Sequence, residues 1–169
     1  MALWRDGAFA DNNWLNVEDG APLPAGGAVL VSLARWRAEK DTLASHQGAI
    51  GVIVSAGKDA LEHIGDAADR PLVALRFDKF ADGRAFSYAI LLRERHGFAG
   101  ELRAIGDVLL DEIPLMLRCG FTSFEVVNEP TLRALREGRL PKMVLSYQPG
   151  VGAHEAPAGT RPWLRRAAG

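Results

Sequence analysis

The sequence predicts an α/β fold built on a mostly parallel sheet, and three observations carry that prediction. Short apolar runs alternate with stretches of helical length from Ala28 to Tyr147, the rhythm of right-handed βαβ units. The runs (Val29-Leu30-Val31, Ile50 to Val54, Pro71 to Phe77) are continuous instead of alternating, as in strands covered on both faces. The 169 residues, 48% hydrophobic and 24% charged, suffice for one well-filled core. The expectation is a three-layer α/β/α domain over residues 28–148 with a sheet of about five to six strands. A short antiparallel lead-in at 1–27 precedes it, and a flexible tail or arm at 149–169 follows. A partial β/α barrel is the alternative, since a complete (β/α)₈ barrel needs roughly 200 residues at least.

Each element has its own signal. Leu3-Trp4-Arg5 and Ala8-Phe9 flank Asp6-Gly7, a dipeptide suited to a type I′ hairpin turn. Trp14 to Val17 adds a short strand, and the Gly/Pro-rich stretch from Asp19 to Gly27 connects it onward. After Val29-Leu30-Val31, Ser32 is placed to N-cap a helix running to about Ser45. Ile50 to Val54 is the next strand, Lys58 to Ala68 a short helix, and Pro71 to Phe77 the third strand. A helix from Ala85 to His96 stops at Gly97. Glu101 to Ile105 is the fourth strand, and Gly106-Asp107 opens a helix to Cys119, kinked at Pro114 or split there into two short helices, and stopped by Gly120. Ser123 to Val127 is the fifth strand. Pro130 starts a helix stopped by Gly138, and Lys142 to Tyr147 is the sixth strand. The tail has three prolines and four glycines, with Trp163-Leu164 as its apolar anchor.

Composition excludes several classes. Twenty basic against 21 acidic side chains leave a net charge of -1, which argues against a nucleic-acid partner. A single cysteine rules out an internal disulfide, a Cys₄ iron–sulfur cluster and a CxxC redox pair. The sequence has no dinucleotide (GxGxxG), P-loop or GxSxG fingerprint and no HExxH-type histidine spacing, so any cofactor is unknown. The N-terminal residues lack the pattern of a signal peptide, and no apolar run nears the roughly 18 residues of a membrane span. The expected location is the cytoplasm, without membrane attachment.

Polar residues gather beyond the carboxyl ends of the strands, where ligands of parallel sheets bind. The segment after the third strand is the densest, with Arg76, Lys79 and Arg84 against Asp78 and Asp82. This pattern points to an anion site of Arg76, Lys79, Gly83, Arg84 and Ser87, joined by Arg103, because guanidinium forks and helix N–H groups suit an oxyanion. Asp82 and Asp107 are the candidate acid/base groups. The structural alternative has Asp82 and Asp107 capping helices while the arginines pair with Asp78 or Asp107. Asp78, Asp82, Asp107 and Asp111 form a weaker divalent-metal set. Cys119, at a helix C-terminus, reads as an inert buried thiol.

The run from Leu75 to Ser87, with Leu91-Leu92-Arg93 and Gly97 after it, resembles a known signature. So do Gly100 to Leu109, Arg118-Cys119-Gly120-Phe121 and Tyr147-Gln148-Pro149. They resemble the bacterial domain of unknown function 934 family, which carries the label of an oxidoreductase involved in sulfite reduction. Its F-x-D-G-R-x-F-S pattern falls on Phe80, Asp82, Gly83, Arg84, Phe86 and Ser87, and its L-R-A-x-G-D pattern on Leu102, Arg103, Ala104, Gly106 and Asp107. Members are encoded beside sulfite reductase, so the resemblance implies an accessory protein of assimilatory sulfate reduction. Its partner would be sulfite reductase or another protein of that pathway, its ligand a small anion; an oligomer is compatible with this. The rival expectations are a redox enzyme with a borrowed cofactor and a non-redox α/β enzyme acting on a small anionic metabolite.

Overall fold

The structure, a computed structural model, describes residues 1–78, 83–141, 145–146, 151 and 165–166. Its main sheet contains β1 (Ala2–Arg5), β2 (Ala8–Ala10), β3 (Trp14–Asn16), β4 (Ala28–Ser32), β5 (Ile50–Ser55), β6 (Leu72–Phe77), β7 (Glu101–Gly106) and β8 (Ser123–Val126). The helices of the described residues are α1 (Leu33–Ala38), α2 (Lys40–Ala44), α3 (Lys58–His63), α4 (Arg84–Glu94), α5 (Ile113–Arg118) and α6 (Glu129–Arg136). A 3₁₀ turn, Ile64–Ala67, continues α3.

Local chemistry accounts for several boundaries. Asp6 and Gly7 both take positive φ, 52° and 82°, which bends β1 back onto β2 in antiparallel register. The Ser32 Oγ accepts from the Arg35 amide at 3.0 Å and starts α1. Asn128 caps α6 in the same way through Thr131. Pro114 does not kink a long helix. It lies in the first turn of α5, where the missing N–H has no intrahelical acceptor to lose. The helix therefore spans six residues, and Gly106-Asp107 forms a turn instead of a cap.

The sheet has the order β2-β1-β8-β7-β6-β5-β4-β3. From β3 to β8 the strands lie side by side in chain order and pair in parallel, while β1 runs antiparallel to β8 and to β2. This order corrects the three-layer expectation and the count of five to six strands. A doubly wound sheet reverses its strand order once, sending later helices to the second face. Here no reversal occurs, so right-handed crossovers leave the helices on one face. Their buried apolar side chains join Val29, Val31, Val52, Val73, Leu75, Leu102 and Phe124 in one cluster. The second cluster, Leu30, Ile53, Leu72, Ala74 and Ile105 under Trp14, contains no helical residue.

What covers that second face is the sheet itself, curled into a half-barrel. The two edge strands show how tightly it curls. Laid flat, eight strands would separate β2 from β3 by about 34 Å. Only residues 11–13 connect them, and four Cα steps reach about 15 Å at most. The N-terminal residues thus supply both edges of the sheet. Leu145–Ser146, the described part of the expected sixth strand, pairs with Arg165–Arg166 and not with the main sheet. The rest of Lys142 to Tyr147 and nearly all of the tail lie outside the described residues.

Candidate functional site

The concave face is built in layers fixed by strand register. Glu101, Leu72, Gly51 and Leu30 form the lowest, and Arg103, Ala74, Ile53 and Ser32 the next. Ile105, Arg76 and Ser55 form the top layer, at the carboxyl ends of the strands. Trp14 closes the bottom: a Cβ on Gly51 would meet its ring at 3.1 Å and the Leu72 carbonyl oxygen at 2.9 Å.

Above this plug opens a cavity of about 660 Å³, lined among others by Glu18, Asp19, Ser32, Ser55, Asp59 and Arg76. Its rim is held in place. The buried Arg35 donates from Nη1 and Nη2 to the carbonyl oxygens of Glu18 and Ala21 at 2.7 and 2.8 Å. Ser32 Oγ donates to Asp19 at 2.7 Å. On the other side the Tyr88 hydroxyl donates to the Gly57 carbonyl at 2.9 Å, pinning the turn after β5.

Among the described residues that line this mouth, Arg76 is the cation without a partner. It is half-buried, its Nε is shielded from solvent, and that nitrogen has no hydrogen-bond partner. A shielded N–H left unmatched costs on the order of 1–3 kcal/mol, so an oxygen brought by a ligand has an energetic reason to bind there. Arg37 also lines the cavity but is paired with Asp66 at 3.0 Å.

Arg103 does not join Arg76. It lies one layer lower on the neighbouring strand, 1% exposed, and all three guanidinium nitrogens are engaged. Nε and Nη2 donate to Glu101 at 3.0 and 2.8 Å, and Nη1 donates to Asn12 at 2.9 Å. Ser123 donates to the same Glu101 oxygen at 2.6 Å, and Arg5 stands 3.5 Å from the other. This floor ties the connection between the two edge strands to β7 and β8. A polar residue in a strand pattern offers no hint of which role it will take.

The remaining expected residues are dispersed. Gly83, Arg84 and Ser87 are exposed at the start of α4 and do not line the cavity; Arg84 has an interaction partner. Lys79 and Asp82 lie outside the described residues. Asp107 sits in the turn after β7, its amide bonded to the Phe77 carbonyl at 2.8 Å, so it caps no helix. No group of three or more His, Cys, Asp or Glu among the described residues is placed to hold a metal, and Asp78, Asp107 and Asp111 do not assemble as one. Burial pushes the Cys119 thiol above its ordinary value, opposed by the charge of Arg118.

Two further groups carry no obvious sequence signal. Burial, reinforced by the charges of Asp111 and Asp107, pushes the Glu112 carboxyl up, and its Oε2 has no partner. Arg93 works without any carboxylate. It donates to the carbonyl oxygens of Gly120, Phe98 and Gly100 at 2.6–3.0 Å, clamping α4 to the segments before β7 and β8. Burial pulls this guanidinium below its usual value. It forms the polar wall of a second cavity, about 860 Å³, at the opposite end of the sheet.

The spacing of Arg93, Gly97, Arg103, Gly120 and Phe121 thus has a structural explanation, and a family comparison covers the same ground. A family model described as "Bacterial protein of unknown function (DUF934)" matches residues 51–158. The chain belongs to this family. No curated protein and no solved structure shows significant similarity to it. The DUF934 match includes Arg76, Arg93 and Arg103, whereas Asn12, Glu18 and Asp19 precede it. Among the described residues no helix is long and apolar enough to cross a membrane.

Proposed function

We propose that this DUF934 protein is a cytoplasmic accessory protein of assimilatory sulfate or sulfite reduction. It binds a small oxyanion at the mouth of the half-barrel and brings that anion to sulfite reductase or a neighbouring step. The observation that carries the binding reading is Arg76, whose shielded Nε lacks a partner at the edge of a cavity with a fixed rim. Barrel-type sheets place their ligands at the carboxyl ends of the strands, where Arg76 stands. The link to sulfur oxyanions rests on the signature runs from Leu75 to Ser87 and from Gly100 to Leu109.

Isothermal titration with sulfite and sulfate tests the reading. Both should bind the wild-type protein, and Arg76→Ala should weaken them roughly ten- to a hundredfold, the worth of a charge-assisted hydrogen bond. The melting temperature of the variant should stay at the wild-type value or above. Absence of binding, or binding indifferent to Arg76→Ala, overturns it.

A further inference from the structure

The lining of the mouth carries more information than one arginine. Of its charged groups, Arg37 is neutralised by Asp66, and Asp19 is held by Ser32. Arg76 stays unengaged on one side, at the end of β6. Glu18, beyond β3, and Asp59, in the first turn of α3, face the same cavity, and among the described residues neither carboxylate has a hydrogen-bond or ion-pair partner. The unengaged lining therefore carries one positive and two negative groups.

A bare oxyanion complements only the Arg76 side of that lining. It would gain Arg76 and be repelled by both carboxylates. The charged groups are also spread out. Asp59 stands above β5, one strand from Arg76, and Glu18 above β3, three strands away, so the mouth measures about 5 to 14 Å along the curl between them. A cavity of about 660 Å³ falls within the range of sites for whole metabolites, roughly 300–1,000 Å³.

We infer that the mouth selects a zwitterion, a molecule carrying an anionic sulfur or phosphorus oxyanion group at one end and an ammonium group at the other. This deepens, and rests on, the oxyanion reading above: Arg76 takes the anionic end, and Glu18 with Asp59 takes the ammonium. The carboxylates raise the selectivity of the site more than its affinity, because they penalise anions that bring no cation.

Three probes that differ at one terminal group test this: 1-propanesulfonate, 3-hydroxypropanesulfonate and 3-aminopropanesulfonate, titrated calorimetrically into the full chain. The amino compound should bind roughly five- to tenfold tighter than the unsubstituted one, the scale of a partly exposed ion pair or two. The hydroxy compound should stay near the unsubstituted one. The double variant Glu18→Gln/Asp59→Asn, changed at exposed positions, should bring the ratio of amino to unsubstituted compound close to one. If all three probes bind alike and Arg76→Ala abolishes them, the oxyanion reading stands and the zwitterion inference falls. If the hydroxy compound matches the amino compound, the carboxylates read hydroxyl groups and the inference falls as well. If no probe binds and sulfite does not bind either, both fall together.

Discussion

Two arginines on adjacent strands of the same concave face have opposite fates. Arg103 is almost fully buried, and every guanidinium nitrogen has a partner on Glu101 or Asn12. Arg76, one layer nearer the carboxyl ends, keeps an Nε with none. The difference follows from what the chain brings to each layer. The connection between β2 and β3 passes beneath the curl, and its Asn12 completes the floor. Nothing among the described residues does the same at the mouth. Charge at the floor holds the barrel together; charge at the mouth is left for something else to satisfy.

The sharpest way to break that comparison is to remove the floor. Arg103→Met should cost about 3–5 kcal/mol, because it leaves the Glu101 carboxylate with only the Ser123 hydroxyl and the longer contact to Arg5. Chemical denaturation should show a lowered midpoint. A loss below about 1 kcal/mol would mean that the Glu101 network is ornamental. Next in size is Asn12→Ala. It removes the acceptor for Arg103 and for the Trp14 amide at 3.2 Å, and the donor to Glu125 at 3.2 Å. The expected loss is about 1–2 kcal/mol. Hydrogen exchange should concentrate it in β2 and β3, the two edges that this connection holds.

Arg76→Met should have the opposite sign. Replacing a shielded, unmatched N–H by an apolar side chain of similar length should leave stability unchanged or raise it by up to about 1 kcal/mol. Thermal melts with and without sulfite would then separate the two arginines cleanly. Sulfite should raise the melting temperature of the wild type and of Asn12→Ala, yet do nothing for Arg76→Met. A destabilised Arg76→Met would make this residue a second floor arginine and remove the distinction.

How much of this was legible beforehand depends on range. Asp6-Gly7, the Ser32 cap and the helix stops at Gly97, Gly120 and Gly138 are decisions taken within a few residues, and the structure keeps them. Strand order is not local. Continuous apolar strands point to helices on both faces, but a sheet curled over itself buries its second face equally well. Pro114 reads as a kink or as a break between two short helices; it starts α5 instead, because no helix forms between Gly106 and Ile113. The site shows the same limit. Arg76 was visible as a cation at a strand end, but Arg103 looked identical. Its partner Asn12 is 91 residues away, and Glu18 falls between the expected strand ending at Val17 and the connecting loop that begins at Asp19.

The smallest effect concerns Glu112, whose Oε2 is, with Arg76 Nε, one of the two shielded side-chain atoms without a partner among the described residues. Arg76 stands at the carboxyl end of β6 and Glu112 beyond that of β7, and the two carry opposite charge. Burial first, and then the charges of Asp111 and Asp107, hold the Glu112 carboxyl above the ordinary carboxylate value. The folded state therefore binds this proton more tightly than the unfolded chain does. Below the unfolded value both states are protonated and Glu112 exerts its full favourable contribution. As the pH rises toward and through the folded value, ionisation in the folded state becomes progressively less favourable than in the unfolded chain, and that contribution is lost. Glu112→Gln should thus match the wild type in melting temperature near pH 4 and exceed it at pH 7. Arg76→Met should show a difference from wild type that does not change across the same window. If the Glu112→Gln advantage is present already at pH 4, packing and not charge sets it. The two unmatched atoms would then differ in kind, and only the arginine would mark a place where the fold leaves charge for a ligand.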